Sequence, residues 1–375
     1  MTTAPGHDNR AADEAHQAAR TIADATTSEP DLEAARRAFE ALVTLCHRHD
    51  GDNEVIQAAV SGTLHLAAVG RAAGALDLVR SAHTFLGGLT ARFDDDPLPR
   101  RAFAEASVDL ILAEARVANG LSEALLIYRA VASLGEAHTE DTDLASARAK
   151  AAANLVALAL EVNQPREARL ALAELARIET AQPTVSAVRH QHARGMFNSI
   201  AHAATRNDPD KSLVALDSLI AAARRNPDQR ELIDLAAEGA FAMVTGLGTR
   251  GHLEPAERSY RALASLSRMS EAGLPVRRRL AEAAFNLITD LCGANALGEA
   301  QLIYDELTAL SVGEDDDPTI RLAQAKASAN MALTWRREGE DMAAAIAADD
   351  LKALLHAHPD DQELFEVAAF LDMAD

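Results

Sequence analysis

The chain is poor in aromatic residues, cysteine and long apolar runs, and each scarcity removes a class of protein from consideration. Aromatic side chains make up 3% of its 375 residues, so any core must be filled by aliphatic side chains and alanine. The two cysteines, Cys46 and Cys292, lie far apart in sequence, which argues against a disulfide framework and for a reducing, cytoplasmic setting. No run of about 18 uncharged apolar residues occurs, and residues 1–20 lack a basic start followed by an apolar core. Neither membrane insertion nor a secretory leader is expected. Basic charge is also short: 36 Lys and Arg stand against 57 Asp and Glu, a net charge of −21. Such a surface repels phosphate backbones, so nucleic acid is not an expected partner, and it keeps an alanine-rich helical protein in solution.

Signatures of chemistry are missing as well. There is no GxxxxGK[ST], GxSxG, HExxH or CxxC. His47 and His49, His190 and His192, and His356 and His358 are each two apart, about 200° around a helix, the wrong spacing for a shared metal. Asp50-Gly51-Asp52-Asn53 hints at a calcium loop but lacks the closing bidentate Glu. Cys46 and Cys292 sit in apolar helical contexts and read as core thiols. No catalytic residue, metal or cofactor is expected, and the chain reads as a non-enzyme.

What the sequence does contain is a repeat. Asn154-Leu155, Asn198-Ser199, Asn286-Leu287 and Asn330-Met331 open similar apolar stretches on a step of 44 residues, with Ala242 in the slot between the second and third. A second column lies 14 residues further on, at Ala168, Ser212, Ala256, Ala300 and Ala344. Stacked repeats bury a core that no single repeat could bury alone. Ala, Leu, Glu and Arg dominate and β-branched runs are few, so the repeats are read as helical.

Breakers set the boundaries. Residues 1–10 look disordered, Ala11 to Ala25 fit a short helix, and residues 26–30 break it. Asp31 is a candidate N-cap for a helix running to about His49. About seven helix–turn–helix units follow, starting near Asn53, Arg100, Ser146, Arg189, Leu232, Arg278 and Arg321, and a last helix from Asp361 to about Met373 closes the stack. Asn119-Gly120, Asn163-Gln164-Pro165, Asn207-Asp208-Pro209, Gly251, Asn295 and Gly339 mark turns within pairs. Between pairs stand others, two of which read Asp-Asp-Asp-Pro, at 94–97 and 315–318, and suit an N-cap facing a helix dipole. The organisation expected is a disordered or short-helical segment over residues 1–30 and one array over 31–375.

Two units carry a family resemblance. Asn154 to Leu175 reads NLVALALEVNQPREARLALAEL, and Asn286 to Leu307 reads NLITDLCGANALGEAQLIYDEL. This resembles the tetratricopeptide repeat, through Asn154/Asn286, Leu155/Leu287, Glu167-Ala168/Glu299-Ala300 and Tyr304, with Tyr260 and Tyr128 in the same column of other units. The resemblance covers residues 54–360. The chain departs from the family where Val156 and Ile288 replace a small residue, and in its period of 44 rather than about 34. The resemblance implies an all-α, right-handed superhelical solenoid of antiparallel helix pairs; other helical repeats such as HEAT are the alternative. The Ala, Leu and Tyr columns are read as core, filling the places where helices cross.

The Asn column is the sharpest functional signal, because an amide matches the C=O and N–H of a peptide backbone. In some tetratricopeptide proteins the Asn of this slot holds a bound peptide, which implies a ladder of Asn154, Asn198, Asn286 and Asn330; the alternative is that each bonds to the preceding helix. Asp109 lies one residue out of register with it. Four residues before the slots stand Lys150, Arg194, Glu238, Glu282 and Lys326, on the same face. Phe197, Phe241 and Phe285 form either an apolar strip in the groove or ordinary packing between first helices. The basic clusters 189–194 and 277–279 either steer an acidic peptide or pair with nearby acids. The family's heat-shock carboxylate clamp is not expected, because Ala153, Phe197, Phe285 and Ala329 occupy its lysine positions.

The reading is therefore a scaffold or adaptor that binds another protein, as a peptide segment or partner helix, in a concave groove. Self-association into a homo-oligomer, or regulation of a separate enzyme, are the alternatives. A transcription factor is disfavoured by the short acidic segment ahead of the array. The Arg-rich, Lys-poor composition points to a bacterium with a GC-rich genome.

Overall fold

In a computed structural model the described residues are 8–25, 31–206, 208–311 and 316–373. Among them are seventeen α-helices and no strand. First helices of the pairs are α1 (Asp8–Asp24), α3 (Asn53–Ala73), α5 (Pro97–Glu114), α7 (Thr142–Glu161), α9 (Ser186–Thr205), α11 (Arg230–Gly248), α13 (Leu274–Gly293) and α15 (Pro318–Arg337). Second helices are α2 (Leu32–Arg48), α4 (Leu76–Arg92), α6 (Gly120–Ala137), α8 (Pro165–Ala181), α10 (Pro209–Arg225), α12 (Leu253–Ser267), α14 (Leu297–Ser311) and α16 (Asp341–Ala357), and α17 (Gln362–Met373) follows the last pair. From α7 onward the first helices begin at residues 142, 186, 230, 274 and 318, an unbroken step of 44, and α17 begins one step later at 362. No helix among the described residues is long and apolar enough to cross a membrane.

The molecule divides into two compact units, the first ending at Gly195 and the second beginning at Met196, within α9. In the first unit α1, α3, α5 and α7 pack side by side; in the second α11, α13, α15 and α17 do the same. Second helices sit in the crevices: α4 packs on α3 and α5, α6 on α5 and α7, α12 on α11 and α13, and α14 on α13 and α15. This division follows from composition. First helices are covered on several sides, so α7 buries Ala145, Ala147, Ala149, Ala151, Ala152 and Ala153 almost all round. A helix that is apolar all round must be enclosed, and alanine lets its neighbours come close. Second helices bury a single stripe, as α8 does with Ala168, Ala171, Leu175 and Ile178. The small-residue column at Ala168, Ser212, Ala256, Ala300 and Ala344 is buried throughout.

Local chemistry sets the helix ends. Asp31 caps α2 by accepting from the Ala34 N–H at 2.9 Å. Asp96 caps α5, and Asp317 caps α15 by accepting from Thr319 and Ile320. Each described turn within a pair, from α3–α4 onward, passes through a left-handed residue: Gly74, Asn119, Asn163, Gly251, Asn295 and Gly339, with φ from 57° to 81°. Only Gly, or Asn among side-chain-bearing residues, takes that conformation cheaply, which explains why these two types punctuate the repeat. Asp52 of the suspected calcium loop caps α3, and Asp50 pairs with Arg92.

Two details differ from the expectation. The helix expected from Ala11 begins at Asp8 and is packed: Ala11, Ala15 and Ile22 are buried, and α1 lies against α2 and α3. The expected break over 26–30, most of the expected disorder at the start, Asn207 of its turn and Asp315 of the second Asp-Asp-Asp-Pro lie outside the described residues.

Candidate binding groove

The polar positions of the repeat form two rungs between successive repeats before any groove is reached. Asp141, the N-cap of α7, accepts from Arg101 at 2.9 Å; Asp317, the N-cap of α15, accepts from Arg278 at 2.7 Å; and Asp361, just ahead of α17, accepts from Arg321 at 3.0 Å. In each case an arginine near the start of one first helix holds the acid that opens the next. The hydrogen bond from Arg278 keeps the Asp317 carboxyl below the usual carboxylate range. Arg279 of the same basic cluster reaches Glu238 at 3.8 Å, and His192 of the other cluster bonds Glu179. For these residues the geometry is that of pairing with nearby acids.

The second rung uses all three tyrosines. The Tyr128 hydroxyl donates to Glu174 at 2.9 Å and that of Tyr304 to Asp350 at 2.7 Å, while Glu306 is the carboxylate neighbour of Tyr260. Burial first, then the neighbouring carboxylate, pushes the Tyr128 and Tyr260 phenols above their ordinary value. The partner acids were missed in the sequence, although each lies 46 residues after its tyrosine. In the α4 position of this column His83 meets Ser107 at 3.1 Å, as Tyr304 meets Ser328 at 2.8 Å. Burial lowers the His83 pKa to about 4. Burial likewise raises Cys46 to about 11, and its thiol is enclosed at 5% exposure, the environment of an inert core cysteine.

Within the first unit, Lys150 on α7 pairs with Glu105 on α5 at 3.3 Å, and Arg194 on α9 is exposed. Asn154 carries a buried Nδ2 with no hydrogen-bond partner. Asp109 pairs with Arg71 at 2.7 Å, while burial holds its carboxyl above the ordinary value.

Within the second unit, Asn286 Nδ2 donates to Thr245 Oγ1 at 3.3 Å and Asn330 Nδ2 to Thr289 Oγ1 at 2.8 Å, each 41 residues back on the preceding first helix. One amide hydrogen of both residues is thus engaged in joining helices, which is the structural alternative for the column. Phe197, Asn198 and Phe241 are half-buried. Phe197 packs toward α11, since a Cβ on Gly239 would stand 3.6 Å from its ring.

Three of the expected residues do converge. Phe285 of α13 and Lys326 and Asn330 of α15 line one open groove of about 320 Å³. The Lys326 ammonium lies 6.0 Å from the Phe285 ring centroid, within the range of a cation–π contact. Leu322 and Ala329 extend the floor, and α17 supplies the far wall through Glu363, Glu366, Val367 and Phe370. That wall was missed by treating α17 only as a closing helix. The signal was present: Phe370 stands 44 residues after Lys326, in the column of Lys150 and Arg194. The arrangement offers two aromatic faces, a cation and two carboxylates to an apolar segment bearing charge. No protein-family model matches the chain, and no curated protein matches it.

Proposed function

We propose that this chain is a scaffold or adaptor that binds a peptide segment or partner helix along its first helices, with the α13–α15–α17 groove as the principal contact. The observation that carries this reading is the convergence of Phe285, Lys326 and Asn330 with Val367 and Phe370 around one open groove. An apolar anchor would seat between Phe285 and Phe370. Lys326 would select an adjacent carboxylate, while Glu363 and Glu366 favour a basic group at the α17 side. Asn330 keeps its carbonyl for a backbone N–H of the ligand, since only its Nδ2 is engaged with Thr289. The resemblance to tetratricopeptide repeats, with the right-handed superhelical course it implies, supports the same reading, as do the cysteine-poor composition for a cytoplasmic setting, the Arg-rich, Lys-poor composition for a bacterial source and the lack of catalytic motifs for a non-enzymatic role.

The test is affinity capture from host lysate, comparing wild type with a Phe285→Ala/Lys326→Ala/Phe370→Ala variant that circular dichroism shows to be folded. A partner held by wild type and lost by the variant supports the groove. A partner retained by both, or bait recovered alone from both, overturns it.

A further inference from the structure

The repeat places a large apolar side chain on the outside of its second helices at the same step of 44: Leu126, Leu170, Val214, Leu302 and Ile346. These five are 56% to 68% exposed, although the helices that carry them have buried stripes for their other apolar residues. In the α12 slot of the column stands Arg258, tied to Asp217. Scattered exposed leucines need no explanation, but a column locked to the repeat does, because solvent exposure gives an apolar residue no reason to recur.

The surroundings of the column differ in sign between the two units. On α6 and α8, Leu126 and Leu170 are flanked by exposed Arg129, Arg166 and Arg169, none of which is in an ion pair among the described residues, and by two acids, Glu123 and the half-buried Glu167, so the cations outnumber the acids. On α14 and α16, Leu302 and Ile346 are joined by Met342, 80% exposed, and flanked by Glu299, Asp305 and Asp341, which have no cationic partner among the described residues. Asp349 beside them is held by Lys352. In both places the apolar residues stand 44 residues apart, on the second helices of successive pairs.

We propose that these ridges bind each other between copies of this chain: the Leu126–Leu170 ridge of one molecule docks on the Leu302–Ile346 ridge of another. Apolar residues meet in the centre, and Arg129, Arg166 and Arg169 face Glu299, Asp305 and Asp341 at the rim. The two surfaces are different patches, so the contact is heterologous and leaves one ridge of each kind open at the ends of a pair; association continues beyond the dimer unless the geometry closes a ring. The inference does not use the α13–α15–α17 groove and stands or falls apart from it.

The experiment is sedimentation velocity and light scattering on the full chain over a concentration series, with Leu126→Gln/Leu170→Gln and Leu302→Gln/Ile346→Gln variants. All four positions are exposed, so helix content by circular dichroism should be unchanged. Wild type is expected to form species larger than a dimer that weaken as salt is raised. Each double variant is expected to lose at least tenfold in association, and their mixture to form a 1:1 complex that grows no further. A wild type that stays monomeric to about 100 μM overturns the proposal, since weaker contacts lie below specific assembly. So does a double variant that still assembles, or a mixture that remains monomeric.

Discussion

In the first unit Asn154 holds a buried amide nitrogen without a partner, whereas in the second Asn286 and Asn330 donate to Thr245 and Thr289. The residue 41 before Asn154 is Ala113, which offers no side-chain oxygen. Both units otherwise share a period, a small-residue column, an arginine-to-N-cap rung and a tyrosine-to-carboxylate rung. The lesson is that positions enclosed between helices are held constant by packing, while half-buried and exposed positions of the same repeat are free to diverge. Function is to be sought in the divergent positions: the groove beside Asn330, and the ridges whose flanking charge changes sign.

The largest test of what is shared concerns the tyrosines. Tyr260→Ala and Tyr128→Ala should each cost about 3–5 kcal/mol through the cavity left by a buried ring, and Tyr128→Phe or Tyr304→Phe about 1 kcal/mol through the lost hydrogen bond. Urea unfolding measures both, and similar losses in the two units are expected. A loss confined to one unit would mean that the tyrosine column carries stability in that unit alone.

The next separates the units by pH. His83 is neutral when folded, so the unfolded chain binds the extra proton between its ordinary pKa of 6.5 and its folded value of about 4. Stability contributed by neutral His83 is therefore full above that window and falls as pH drops through it, by about 2–3 kcal/mol. His83→Gln keeps a hydrogen-bonding group near Ser107 and should flatten this dependence, read as hydrogen exchange in α4 and α5 at pH 7, 5 and 4.

Removing an N-cap should cost about 1 kcal/mol in either unit, by Asp141→Ala or Asp317→Ala in thermal unfolding. For Asp317, whose carboxyl is held below its ordinary value, the contribution is present above the usual carboxylate range and disappears as pH falls through the lowered value. The wild-type and Asp317→Ala stabilities should converge at that acid end.

The smallest effect is expected at the Asn column. Asn154→Ala removes an orphaned amide and adds a better helix former, so it should stabilise by about 0.5 kcal/mol; Asn330→Ala loses its bond to Thr289 and should destabilise by a similar amount. Equal signs for the two would show that the Asn–Thr contact contributes nothing.

Much of the local structure was legible before any coordinates. Asp31, Asp96 and Asp317 cap as their sequence context implies, because capping is decided within three residues of chain. The left-handed turns at Asn119, Asn163 and Gly251 follow from residue type alone. Helix α1 was undervalued because its short amphipathic stretch gains its place from packing against α2 and α3. The Phe285–Lys326–Asn330 convergence was half visible, as columns, but its far wall on α17 was not.

The helices, their pairing and their step of 44 follow from the order of amino acids, since breakers and caps act over one or two turns of chain. Which acid each tyrosine and arginine meets, which Asn finds a Thr and which stays orphaned, and which of ten candidate residues share a groove were settled by packing. Those outcomes depend on contacts between residues about 40 apart, where the packing of neighbouring helices, and not the propensity of either, fixes which side chains meet.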